Sequence, residues 1–440
     1  MSDRINMVLD NSNADYWPPA AKQVVLYDAA SGKYRSRDLV EVLAELGILD
    51  AFGRLRVSEP TTIFTGKQIL DNEPLTMDDQ EVSGTGTGSA WSQATAASAM
   101  TVTAATAGKR VRQSRVRPSY QPGKSHRIFV TFTMAAAETG LDQRVGYFDD
   151  NNGIFLEVTD TTVNIVQRSN RTGSPVDTAV AQASWSEDVF DGTGDSGVTL
   201  DLTKSQIFIV DFEWLGVGAV RAGFVVDGAI YWAHHFHQAN NAAGVYMSSP
   251  NLPVRWEIEN DGNAGAATLE AICASVDSEG GVDDVGINRT VDTGIAGFVT
   301  TADTNLYPAL AIRLDSAGLD AFVRPSSVGI ICTSTSNYRW ALLLNPTIAG
   351  TALSFTDVAN SAAEVAKPTN ATTVSAEGTL LASGYAADTA QSKSEIAAEI
   401  GRFQLGSFID GTSDIVVLAI QNLSSGAETY HASLSWRESA

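Results

Sequence analysis

"SQIFIVDFEWLGVGAVRAGFVVDGAIYWAHHFHQ" (205–238) decides the fold class. Three strand-length apolar runs are separated by "LGVG" and "DG", both turn signals. The same grammar extends on both sides. "KRVRQSRVRPSYQPGKSHRIFVTFTM" (109–134) gives two strand patterns broken at "QPGK", and "GIFLEVTDTTVNIVQRS" (153–169) reads as a hairpin turning at "TDTT". "LPVRWEIEN" (252–260) and "ATLEAICASVDSE" (267–279) add two more strands. Short strands with turns every eight to twelve residues indicate an antiparallel sandwich or jelly roll, placed at 61–280.

Residues 281–300 are rich in glycine and aspartate and read as a linker. The strand pattern restarts in "NLYPALAIRLD" (305–315), "SSVGIICTSTSNYRWALLLNP" (326–346), "TSDIVVLAIQNLS" (412–424) and "ETYHASLSWRES" (428–439), which predicts a second β-rich domain over 301–440. One short helix is expected at "SKSEIAAEIG" (392–401), with Ser392 and Glu395 as a capping box. Upstream, "YWPPAAKQVVLYD" (16–28) predicts an extended arm anchored by residues such as Trp17. "SRDLVEVLAELG" (36–47) predicts a short helix capped by Asp38, with Leu39, Leu43 and Leu46 on one stripe. The expected architecture is mainly β: two antiparallel sandwich or jelly-roll domains behind a short N-terminal helix and an extended arm.

The chain has 440 residues and a net charge of −22. A surface that acidic repels nucleic-acid backbones and anionic membranes and favours solubility. No apolar run approaches the ~20 residues of a membrane helix. The opening residues show no basic region followed by an apolar one, so no signal peptide is expected. Cys273 and Cys332 each sit in an apolar run and read as buried free thiols rather than a bridge.

Candidate chemistry is sparse. In "YWAHHFHQ", strand alternation puts His235 and His237 on one face and His234 on the other, but no further ligand spacing completes a zinc site. "FDDNNG" (148–153) and "DGTGDSG" (191–197) are oxygen-rich, and turn chemistry explains both. "SGTGTGS" (83–89) lacks the lysine and the strand-to-helix context of a phosphate loop. No catalytic residue, metal site or cofactor is predicted. The basic stretch "KRVRQSRVR" (109–117) reads as cations for the chain's own carboxylates or a neighbour's. Trp214, Trp232 and Trp256 could stack on sugars, but core packing is the usual fate of such tryptophans and the favoured reading.

"DAFGRLRVSEPTTIF", "VRQSRVRPSYQPGKSHRIFVTFTM", "WLGVGAVRAGFVVDG" and "YMSSPNLPVRWEIEN" resemble virion structural proteins of tailed bacteriophages. "RWALLLNPTIAGTALSF" and "EIGRFQLGSFIDG" are similar to the tails of some members. The resemblance implies a non-enzymatic virion component, made in the host bacterial cytoplasm. It would be a tail, collar, baseplate or fibre appendage, or alternatively a capsid decoration or head fibre. It also implies other virion proteins as partners and a homo-oligomer, first of all a trimer. Residues 1–60 would then be the attachment segment, with Phe52, Leu55, Arg54 and Arg56 docking on a neighbour. A host-surface glycan is a further expected partner; nucleic acid and membrane are not.

Overall fold

The computed structural model describes residues 23–28, 33–38, 60–283, 285–333, 336–387, 392–395, 403–424 and 426–439. Strands β1 (Gln23–Asp28) and β2 (Lys33–Asp38) form an antiparallel hairpin. This corrects the extended-arm reading for 23–38: "QVVLYD" pairs with its own neighbour, and Asp38, expected as a helix cap, faces Gln23 across the ladder. The rest of the predicted helix, and the docking residues Trp17, Leu39, Leu43, Leu46, Phe52, Arg54, Leu55 and Arg56, lie outside the described residues.

The first body runs from β3 (Thr61–Gly66) through β4 (Met77–Gly84), β5 (Thr87–Ser92), β6 (Ala97–Val102), β7 (Gly108–Ser114), β8 (Ser125–Thr133), β9 (Leu141–Phe148) and β10 (Gly153–Thr159). It continues with β11 (Thr162–Ser169), β12 (Val176–Ala181), β13 (Gln206–Phe212), β14 (Val220–Val226), β15 (Ala229–Phe236), β16 (Val254–Asn260) and β17 (Ala267–Glu279). One sheet has the order β12-β11-β10-β9-β16-β7-β4; the other has β15-β14-β13-β8-β17-β6-β5, with β3 also paired to β17. Every pairing is antiparallel, so the expected β-sandwich is present.

Side-chain alternation explains the sandwich. In β8, Ile128, Val130 and Phe132 enter the core, and Phe208, Val210 and Phe212 of β13 do the same. The "DG" turn works as expected: Asp227 and Gly228 take φ of 51° and 81°, the twist a two-residue hairpin needs. A bulge follows where β15 meets Gly223, whose Cβ would sit 2.1 Å from the Tyr231 carbonyl oxygen, so only glycine is accommodated.

The second body comprises β18 (Ile287–Asp292), β19 (Phe298–Val299), β20 (Leu306–Leu314), β21 (Phe322–Cys332), β22 (Tyr338–Leu344), β23 (Thr347–Gly350) and β24 (Phe355–Asp357). After these come β25 (Ala363–Ala366), β26 (Thr372–Ala376), β27 (Thr379–Ala386), β28 (Ser392–Glu395), β29 (Ile415–Asn422) and β30 (Thr429–Ser439). A sheet ordered β18-β30-β21-β28, with β19 also on β30, packs against one ordered β24-β25-β20-β29-β22-β27. The two-stranded sheet β23-β26 lies beyond the second sheet and covers a smaller core around Ala341, Leu343 and Val417.

Two expectations change here. Ser392–Glu395, expected to open a helix, instead forms a strand paired with Ser327–Ile330, so tertiary pairing overrides the local capping signal. Part of the expected linker is sheet: "INRTVD" pairs with β30 and buries Val291 in the core. Among the described residues there is no α-helix, only a 3-10 turn at Gln182–Ser184, and no helix long and apolar enough to cross a membrane.

The two bodies are joined by the end of the basic stretch. The Arg115 guanidinium pairs with the Asp414 carboxylate, both nearly buried, and lies 4.1 Å from the Phe408 ring centroid. Arg117 donates to the Leu319 carbonyl at 3.2 Å and to the Ser407 hydroxyl at 2.7 Å. Gln404 donates to the Arg117 carbonyl at 2.9 Å, and the Ile409 amide donates to the Asp78 carboxylate at 2.7 Å.

His126 sits fully buried among Tyr120 and Phe212, and neither ring nitrogen has a hydrogen-bond partner. Burial lowers its pKa from 6.5 to about 3. Between these values the unfolded chain binds the proton and the folded chain does not. Its contribution is therefore full above pH 6.5 and is lost as pH falls, by up to about 1.4 kcal/mol per pH unit. Urea unfolding at pH 7 and pH 5 is expected to show a larger loss of stability for the native chain than for His126→Phe. Equal losses would show that His126 is not the group responsible.

Candidate functional site

Strand β16 has two different faces. Trp256 and Ile258 point into the core, while Arg255, Glu257 and Glu259 point to the outer face of the β12-to-β4 sheet. Three strands converge on Glu257. Lys109 of β7 approaches it at 2.8 Å, Arg144 of β9 donates at 2.6 Å and Arg255 donates at 2.7 Å. Arg144 also grips Glu157 of β10 at 2.7 Å and Asp142 at 2.9 Å, so a single guanidinium spans three carboxylates on neighbouring strands. Glu257 is 1% exposed. Burial pushes its carboxyl up, but Arg255, Lys109 and Arg144 outweigh that and hold it well below the usual carboxylate range. For Arg144, burial opposes the charge, and Glu257 and Glu157 overcome it, keeping the guanidinium protonated.

Beside this network the sheet face opens into a pocket of about 400 Å³. Its wall carries Gln80 and Glu81 of β4, Lys109 of β7, Arg255 of β16 and Asp150 from the turn after β9. Ile409 and Asp410 of the second body close one side. Asp150 accepts from Arg255 at 2.9 Å yet is 74% exposed, so its remaining oxygen faces solvent. The Arg255 Nε is buried and has no hydrogen-bond partner. Below, Phe148, Phe155 and Val166 form a small buried cluster, with Arg255 over Phe148 at 5.3 Å and Arg168 over Phe155 at 5.0 Å. The pocket thus offers cationic donors fixed on strands, Lys109 and Arg255, beside carboxylate acceptors on β4 and on two turns.

The three tryptophans do not come together. Trp256 is 1% exposed, its indole N–H 3.3 Å from the Thr131 carbonyl. Core packing, the favoured reading, holds for Trp256, and the sugar-stacking reading is corrected: its ring is enclosed between the two sheets. Trp214 packs edge-on against Tyr120 and donates to the Met247 carbonyl at 3.0 Å. Trp232 lies on the outer face of the other sheet, beneath Arg221 at 4.6 Å.

His235 and His237 have ring centroids 4.0 Å apart, and His234 accepts from the Ser186 amide at 3.2 Å. Burial, with His237 and Arg221 adding to it, lowers His235 to about 4. Among the described residues no group of three His, Cys, Asp or Glu side chains is placed to hold a metal ion. Asp149 and Asp191 of the two oxygen-rich turns accept local N–H groups, Asn151 and Asn152 in one case and Thr193 in the other. Neither cysteine is bridged.

The basic stretch finds its partners inside the chain. Arg110 pairs with Asp79 at 2.7 Å, Arg112 approaches the same carboxylate at 3.4 Å, and Lys109, Arg115 and Arg117 are engaged as described. Sequence reasoning missed Arg255 and Asp410, and it read Asp150 of "FDDNNG" as turn chemistry alone. For Arg255 a signal was present in the alternation of "VRWEIEN"; for Asp410, which lies in a turn, none was.

No family model and no curated protein matches the chain. Among solved structures, the carbohydrate recognition domain of Emp47p is similar at 10% identity over 50% of this chain and 97% of its own, with a TM-score of 0.31. A GH16 protein of a Bacteroides ovatus mixed-linkage glucan locus aligns at 8% identity over 49% of this chain and 99% of its own, TM-score 0.33. A legume lectin-like domain from Entamoeba histolytica aligns at 7% over 50% and 98%, TM-score 0.30. Likeness at this level does not bear on function; the sandwich assignment rests on the strand pairing itself.

Glu257→Gln keeps the shape but leaves three cations around a neutral group. It is expected to cost about 3–5 kcal/mol in urea unfolding. Glu259→Gln, at a side chain 36% exposed, is expected to cost less than about 1 kcal/mol. Equal costs would contradict the central role of Glu257.

Proposed function

We propose that the chain is a non-enzymatic binding module of a tailed-bacteriophage virion, and that the pocket beside Glu257 takes a neutral sugar unit of a host-surface glycan. The carrying observation is the wall of that pocket, which brings Gln80, Glu81, Asp150 and Asp410 together with Lys109 and Arg255. Sugar hydroxyls both donate and accept, so neighbouring hydroxyls suit a wall that mixes acceptors with donors. The mixed charges give an anionic or cationic ligand little advantage over a neutral one.

The virion half of the proposal rests on the sequence resemblance. In that reading the two β bodies are the displayed part and residues 1–60 attach them to other virion proteins, as a tail, collar, baseplate or fibre appendage, or as a head decoration.

A glycan array probed with the full chain is expected to give reproducible binding to a subset of neutral glycans. Asp150→Ala and Asp410→Ala, both at exposed positions, are expected to weaken that binding at least about 10-fold without changing the unfolding midpoint. Absence of binding, or binding indifferent to both substitutions, would sink the glycan half. Removing residues 1–49 is expected to abolish incorporation into particles, and normal incorporation would sink the virion half.

A further inference from the structure

The second body exposes a sheet edge that lacks the usual protection. β18 pairs with β30 on one side, and no strand among the described residues takes its other side. Natural edges are commonly guarded by free charges, proline or bulges. Here Ile287 is 62% exposed, Val285 before the strand is 50% exposed, and Val299 after it is 46% exposed. Arg289, the cation on the strand, is held by Glu438 at 3.0 Å and by the Asn360 carbonyl, so its charge is spent within the chain.

Just past β18, the turn Asp292–Gly297 holds Ile295 entirely in solvent, at 100% exposure. The turn is built, not frayed. The Asp292 carboxylate accepts the Gly294 amide at 2.8 Å, the Gly297 amide reaches the Gly294 carbonyl at 3.2 Å, and the His431 ring meets that same carbonyl at 3.1 Å. Gly297, at φ 67°, has no room for a Cβ, which would lie 2.8 Å from the Tyr430 carbonyl oxygen. A rigid turn that presents a fully wetted isoleucine beside an open strand edge points to a partner that adds a strand.

We propose that the partner is a second copy of this chain, with the two β18 edges pairing antiparallel about a twofold axis. An antiparallel edge is self-complementary, so one surface serves both copies. A twofold at Thr290 sets Asn288 of one copy opposite Asp292 of the other and Ile287 opposite Thr293. It brings each Ile295 to the other copy's Val285, so both exposed ends are covered at once. Arg289 is already paired with Glu438 within each chain, and Asp292, which accepts the Gly294 amide, faces Asn288 of the other copy. Two copies of a chain with net charge −22 therefore meet along β18 without one carboxylate directly opposite another. This twofold contact is separate from the threefold assembly that the sequence resemblance implies, and it does not depend on the glycan reading.

Sedimentation equilibrium of the full chain at about 50 µM tests it, because mass action populates a dimer at that concentration. The native chain is expected to show association that includes a dimer step. Ile287→Lys and Ile295→Asp, both at solvent-exposed side chains, are each expected to weaken that step at least about 10-fold. Their circular dichroism and unfolding midpoints should stay unchanged. A native chain that stays monomeric, or an assembly that persists undiminished in the double variant, would overturn the proposal.

Discussion

The pairing of Arg115 with Asp414 is the constraint on which the rest of this structure depends. Both groups are nearly out of water and come from different β bodies, almost three hundred residues apart in the chain. A buried charge left alone is costly, so each body is strongly destabilised at this surface without the other. The neighbouring contacts repeat the logic: Arg117 to Ser407 and to the Leu319 carbonyl, Asp78 to the Ile409 amide. One short run of basic residues in an acidic chain therefore anchors the edge strand at Asp79, the outer-face network at Glu257 and the second body at Asp414.

The pocket beside Glu257 follows from that anchoring. Its floor and two walls are strands of the first body, and its last side is the Phe408–Thr412 turn that Arg115 and Asp78 hold in place. Asp410 enters the pocket only because that turn is fixed. The outer-face network of Lys109, Arg144, Arg255 and Glu257 in turn fixes which polar atoms the pocket presents. A site of this kind has little freedom to lose when a ligand binds, which lowers the cost of recognition.

Much of the first body could be read from the chain. The 3.3 Å rise and two-residue period of a strand leave a plain trace in "SHRIFVTFT", and "DG" marks the turn from β14 to β15 because both residues take positive φ. The failures have physical causes. Ser392 and Glu395 carry a local helix-start signal, but pairing with β21 overrides it. "INRTVD" looked like linker because a single buried residue, Val291, holds it to the core. "VRWEIEN" was readable in its alternation, and Trp256 packs inward as its type favours, but the charged residues on the opposite face, which form the site, were passed over. The partners Asp79 and Asp414 were invisible, since nothing local in sequence couples Arg110 or Arg115 to carboxylates so far away.

The buried Arg115–Asp414 pair, with the Arg117 and Asp78 contacts beside it, makes the two β bodies one cooperative unit. Differential scanning calorimetry of the full chain tests this coupling. A single unfolding transition is expected, with calorimetric and van't Hoff enthalpies in agreement. Two resolved transitions, one for each body, would contradict it.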